Sequence, residues 1–114
     1  MQVHTDRLDG IFLALADPTR RVVINRLSKG PASVTDLAEP FEMALPSFLK
    51  HIRFLEAHGL IKTRKQGRVR TCEIDRKQFA VAEDWLSRQR DIWEGRADRL
   101  EAFVTKLQKE KSKK

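Results

Sequence analysis

Hydrophobic positions recur along most of the chain in a helical rhythm, with one short interval of strand character. Leu8, Ile11, Phe12 and Leu15 fall at offsets 0, 3, 4 and 7, one apolar stripe of a first helix. Asp17-Pro18 follows as a start signal, because an aspartate can cap free amides and a proline suits the first helical position. Val22, Val23, Arg26 and Leu27 predict a second, shorter amphipathic helix that Gly30-Pro31 ends. Ser33 opens a very short third helix, with Asp36 as its capping-box partner, and Pro40 limits it.

The fourth segment has the clearest period. Leu45, Phe48, Leu49, Ile52 and Leu55 lie at offsets 0, 3, 4, 7 and 10, and Gly59 follows as a stop, so a helix is expected over 44–58. The face opposite that stripe shows Ser47, Lys50 and Phe54, with His51 at one flank. Leu60 and Ile61 lead into a strand, Gln66-Gly67 reads as a hairpin turn, and Val69 to Asp75 returns. A last helix is predicted from about Gln78 to Lys109. Leu86, Trp93, Leu100 and Leu107 recur along it every seven residues, and Trp85, Ile92, Phe103 and Val104 widen the seam. A helix of ~30 residues spans ~45 Å, longer than a small domain is wide, so its own chain cannot bury all of its far half and a partner helix is the simplest cover.

Charge sharpens this picture. The chain has 114 residues and a net charge of +7, the size of one small domain. The expected organisation is a single domain over 1–110 and a basic disordered tail over 111–114. Between Lys106 and Lys114 five lysines face one glutamate, so much of the excess sits at the end. A more informative cluster is Lys62, Arg64, Lys65, Arg68 and Arg70, a run of cations with no acid among them. It suits a solvated edge strand or a phosphate-binding ribbon, and the elements before it must decide. One cysteine rules out an internal disulfide and fits a reducing cytosol. The apolar stretch Ile11 to Ala16 is too short for a signal peptide or a membrane span. A cytoplasmic protein with no membrane partner is expected.

A short helix, a tight turn and a second helix with a polar outer face are the ingredients of a helix-turn-helix, whose second helix enters the major groove. A basic ribbon directly after that helix makes the expected fold mainly α with a small β-hairpin, a winged helix-turn-helix. At this point a family resemblance becomes specific. Leu15-Ala16-Asp17-Pro18-Thr19-Arg20-Arg21 resembles the opening signature of the ArsR/SmtB repressors. Met43 to Ile61 resembles that family's recognition helix and exit, and Gly67-Arg68 its wing turn. The resemblance covers roughly Leu8 to Ile74. It implies five helices with a β-hairpin between the fourth and fifth, and a homodimer through the first and last. It also implies sequence-specific binding of double-stranded DNA at an inverted repeat, usually for repression.

Carried over residue by residue, the resemblance places Ser47, Lys50 and His51 at the groove or a flanking phosphate. Lys62, Arg64, Lys65, Arg68 and Arg70 form the wing's cationic contacts. Leu49 departs from the family pattern, which has a serine there; it is read as core, with contact to a thymine methyl as the alternative. Phe54 is expected to pack under the wing. The dimer interface is assigned to Leu8, Ile11, Phe12 and Leu15 of the first helix and to Trp85, Leu86, Trp93 and Leu100 of the last.

The family's metal sites find no match. The stretch from Val34 to Glu39 lacks the cysteine pair of one site, and no histidine follows His58 to build the other. No metal or cofactor is expected. Cys72, beside Ile74 on the returning strand, reads as a small buried apolar residue; a redox role is the alternative, through a pKa lowered by Arg68 and Arg70. No nucleophile turn, phosphate-cradling glycine loop or cofactor motif supports catalysis. A small-molecule inducer at the dimer interface and a protein-interaction module using the 85–107 seam are the other readings, and no residue names an inducer.

Overall fold

The computed structural model describes the backbone of residues 3–112 and the side chains of 7–96 and 98–111. Residues up to Ala82 form one compact unit and those from Glu83 onward a second. The first begins with helix α1 (Val3–Leu15) and helix α2 (Pro18–Leu27). Asp17 sits in extended conformation between them and accepts the Arg20 amide at 3.0 Å, with Pro18 at the first helical position. The last turn of α1 contains no basic residue, so its open carbonyls draw donors from the next helix. Arg20 donates from Nε to the Ala14 carbonyl at 2.7 Å and from Nη2 to that of Leu13 at 2.9 Å. Arg21 donates to the Leu15 carbonyl at 2.8 Å. The Asp-Pro-Thr-Arg-Arg run is thus a corner that ends one helix and starts another.

Strand β1 (Ala32–Ser33), helix α3 (Val34–Ala38) and helix α4 (Leu45–Ala57) follow. Ser33 caps α3 by accepting the Asp36 amide at 3.1 Å. Strands β2 (Ile61–Gln66) and β3 (Val69–Ile74) make the hairpin, and helix α5 (Arg76–Ser112) completes the chain. The turn residues are Gly67-Arg68, one position on from Gln66-Gly67, because Gln66 pairs with Val69. Gly67 has φ 61° while Arg68 stays negative, the φ pattern of a two-residue type II′ turn. The ribbon is also wider than two strands: β1 pairs antiparallel with β3, Ala32 opposite Cys72, giving the order β1-β3-β2. A two-residue strand is too short for any period to announce it.

The core of this unit gathers Phe48, Ile52 and Leu55 of α4 around Ile11, Val23, Leu27, Leu37, Leu60 and Cys72. Ile11 is 0% exposed within the chain itself, so it presents no surface to a second copy. Its assignment to a dimer interface is corrected: the stripe of α1 is divided, with Ile11 in the core, Leu8 and Leu15 half-buried and Phe12 exposed. Leu45, first in the stripe of α4, is 53% exposed, whereas Leu49 packs half-buried against the core. Gly10 lies so close to α4 that a Cβ there would come within 2.3 Å of His58 Nδ1.

The second unit is the remainder of α5. Its large apolar side chains, among them Leu86, Trp93, Leu100 and Leu107, are exposed. Its surface is otherwise charged, with ion pairs one turn apart between Arg88 and Asp84 and between Arg90 and Glu94. Helix α5 starts two residues before Gln78, where Asp75 accepts the Lys77 amide at 3.1 Å. Of the expected tail, Lys111 and Ser112 close α5, and residues 113–114 lie outside the described residues. No described helix is long and apolar enough to cross a membrane.

Candidate nucleic-acid interface

Helix α4 is held in place by the core on one side and by the Asp17–Arg20 corner on another. Its outer face carries Ser47, Lys50 and Arg53, all exposed. Arg53 is absent from the residues singled out by sequence. Measured against all five stripe positions it lies toward the flank. With burial centred on Phe48, Ile52 and Leu55 instead, the outer face rotates toward it. The signal that locates it is the exposure of Leu45, which periodicity alone counts as core.

His51 and Phe54 stand differently from expectation. His51 is half-buried, with Nδ1 3.2 Å from Arg20 Nη1 and 3.7 Å from the Asp17 carboxylate. It is drawn back toward α2 and not free on the outer face. The Phe54 ring packs under the Arg20 guanidinium, 4.2 Å from Cζ to the ring centroid, and against His58 at 4.5 Å. The corner from α2 thus covers one side of this ring. Partial burial alone would raise the Asp17 pKa. The Arg20 amide, electrostatic interaction with the neighbouring His51 and Arg20 side chains and the Thr19 amide outweigh that and hold the carboxyl below its ordinary value.

The wing's cations separate into two sets by strand register. Side chains directly opposite in an antiparallel pair share a face, so Ile61 with Ile74, Thr63 with Cys72 and Lys65 with Arg70 lie on one side. That side meets α4, because the Thr63 hydroxyl donates to the Glu56 carboxylate. Lys62 with Glu73 and Arg64 with Thr71 lie on the other. There Lys62 is 3.9 Å from Asp75 and Arg64 is 3.9 Å from Glu73. Lys65, Arg68 and Arg70 have no carboxylate within ion-pair distance among the described residues. The run without acids in the sequence therefore meets its acids across the hairpin, and only its distal half stays uncompensated.

Cys72 is fully buried under this ribbon, and its thiol is pushed up to about 11 by burial, with Glu56 adding to the effect and Arg70 partly opposing it. The lowered pKa that a redox role needs is reversed. No group of three or more His, Cys, Asp or Glu side chains among the described residues could hold a metal ion.

A short helix, a turn, an outward-facing second helix and a basic hairpin beside it define a winged helix-turn-helix. Comparison with known proteins agrees. A family profile described as a helix-turn-helix domain matches residues 15–64. The HTH-type transcriptional regulator Rv2034 of Mycobacterium tuberculosis is 32% identical over 80 residues, 70% of this chain and 75% of that protein. The transcriptional repressor SdpR of Bacillus subtilis is 32% identical over 60 residues, 53% of this chain and 67% of that one. Among solved structures, the ArsR family transcriptional regulator RHA00566 is 60% identical with a TM-score of 0.77, covering 82% of this chain and 97% of its own. The homodimeric winged helix-turn-helix domain Mb0332 of Mycobacterium bovis shares the fold at 22% identity and TM-score 0.57, covering 82% and 81%. The chain belongs to the ArsR family of transcriptional regulators.

Proposed function

We propose that this regulator is a cytoplasmic homodimeric repressor that binds an inverted-repeat operator in duplex DNA. Helix α4 enters the major groove with Ser47, Lys50 and Arg53 facing the bases and flanking phosphates, and Lys65, Arg68 and Arg70 of the wing meet the backbone alongside. The observation that carries this reading is the pairing of an uncovered polar face on α4 with uncompensated cations on the adjoining face of the hairpin. His51 acts from behind, through its contacts with Arg20 and Asp17, and Lys62 and Arg64 are partly spent on Asp75 and Glu73. The exposed stripe of α5 supplies apolar surface for a second copy. Repression is supported by SdpR and dimerisation by Mb0332.

Selection of bound duplexes from a random pool tests both parts together. The expected result is an inverted repeat whose half-sites are centred ~34–36 Å apart, one turn of the duplex. Enrichment of a single unrepeated half-site removes the symmetric dimer, and no enrichment at all removes sequence-specific binding.

A further inference from the structure

The first unit contains an open groove of about 470 Å³, distinct from the outer face of α4 and from the free cations of the wing. Its floor is apolar: Ile24 and Leu27 come from α2, Ile74 from β3 and Phe79 from the first turns of α5. Ile74 and Phe79 are only half-buried, so the chain leaves part of their surface uncovered. Gly30-Pro31 forms one wall, with Gly30 at φ 138°, a conformation that favours glycine.

The polar groups around this floor are unequal. Ser28 already donates its hydroxyl to the Ile24 carbonyl at 3.0 Å. Glu73 lies 3.9 Å from Arg64 on its own hairpin. Lys29 and Arg76 are exposed and have no carboxylate within ion-pair distance among the described residues. Because Arg64 partly offsets Glu73, the charges left to a ligand in this lining are those of the two cations, Lys29 and Arg76. Pockets that bind small molecules combine an apolar lining of this size with a few polar groups that fix orientation.

We infer that this groove binds a small monocarboxylate with an aromatic or branched aliphatic body, its ring or chain on Ile74 and Phe79 and its carboxylate between Lys29 and Arg76. The site lies wholly within residues 24–79, inside the first unit. A carboxylate gains from two lining cations what a neutral analogue of the same body cannot, so the headgroup sets the preference.

Amide NMR titration of the full chain at pH 7 with 2-naphthoate, and in parallel with the neutral 2-naphthol, tests this. The expected result is saturable movement of the Gly30 and Ile74 amides by 2-naphthoate, with 2-naphthol at least tenfold weaker. The paired Lys29→Glu and Arg76→Glu variant should lose at least tenfold in 2-naphthoate affinity and keep its affinity for 2-naphthol. Should charge reversal disturb the fold, seen as collapsed amide dispersion, the Lys29→Gln and Arg76→Gln pair asks the same question. Equal affinity for the two probes, movement confined to residues 83–111, or a variant that binds 2-naphthoate as well as the parent would each overturn the proposal.

Discussion

Helices α4 and α5 carry apolar stripes of similar composition, yet the two stripes meet opposite fates. Phe48 is 0% exposed and Trp93 is 70% exposed. The difference lies in what surrounds each helix. Helix α4 has α1, α2, α3 and the ribbon to bury its apolar face, whereas residues 83–111 bring no second element of their own. Periodicity therefore reports that a face is apolar and not which chain covers it. A helix of 37 residues is ~55 Å long, more than one small unit encloses.

The sharpest way to break this comparison is to truncate one ring in each stripe. Phe48→Ala removes a fully enclosed ring that also packs on Phe41 at 5.4 Å between centroids. It should cost ~3–5 kcal/mol, enough to unfold a small domain of ordinary stability. Thermal melting should show the loss at any protein concentration. Trp93→Ala should instead leave the intrinsic stability of residues 1–82 unchanged and weaken self-association by ~2 kcal/mol, about thirtyfold in the dimer dissociation constant. Sedimentation across a dilution series reads this directly. A Trp93→Ala protein that dimerises like the parent assigns the seam to another partner.

The same contrast explains how much was legible in advance. The helix starts at Pro18 and Val34, the helix over 45–57 and the hairpin could be read because each is set by local chemistry: a cap, a proline, a glycine or a sustained period. The division of the α1 stripe could not, since Ile11 and Phe12 are adjacent and both apolar, and only the packing puts one inside. Nor could the sorting of the wing's cations. Lys62 and Arg64 find Asp75 and Glu73 only through pairing across the turn. Nor could the contacts of His51 and Phe54 with Arg20, thirty-odd positions earlier, which no local pattern contains.

That corner offers a smaller and more specific test. Asp17 caps α2 and lies beside Arg20 and His51, so Asp17→Ala should cost ~1 kcal/mol at neutral pH. The folded-state pKa of Asp17 is lowered; the folded protein therefore favours the carboxylate more than the unfolded chain does. Its contribution is full above the ordinary carboxylate value of ~3.9 and fades as pH falls through the lower, folded value. The stability gap between the parent and Asp17→Asn should accordingly close on the acid side of pH ~4. Denaturant unfolding at pH 7 and at pH 3 measures it, and a gap that persists unchanged at pH 3 would mean that the charge contributes nothing.

The smallest effect separates the two faces of the wing. Arg70 shares a face with Lys65 on the side of α4 and lacks a carboxylate partner among the described residues, whereas Arg64 lies on the opposite face, 3.9 Å from Glu73. A cation that neutralises a phosphate releases counterions, and losing one contact lowers the slope of log affinity against log salt by ~0.9. Arg70→Ala should show that change in full, with equal weakening on selected and random duplexes, since phosphate contacts carry no sequence information. Arg64→Ala should change the slope by less than half as much, because its charge is already partly compensated. Arg64→Gln and Arg70→Gln keep more of each side chain's stem and check that packing is not responsible. If the two arginines lower the slope equally, the ion pair with Glu73 opens on DNA and the wing presents both faces. If only Arg64 matters, the duplex approaches the ribbon from the side away from α4, and the proposed docking of α4 and wing in one interface fails.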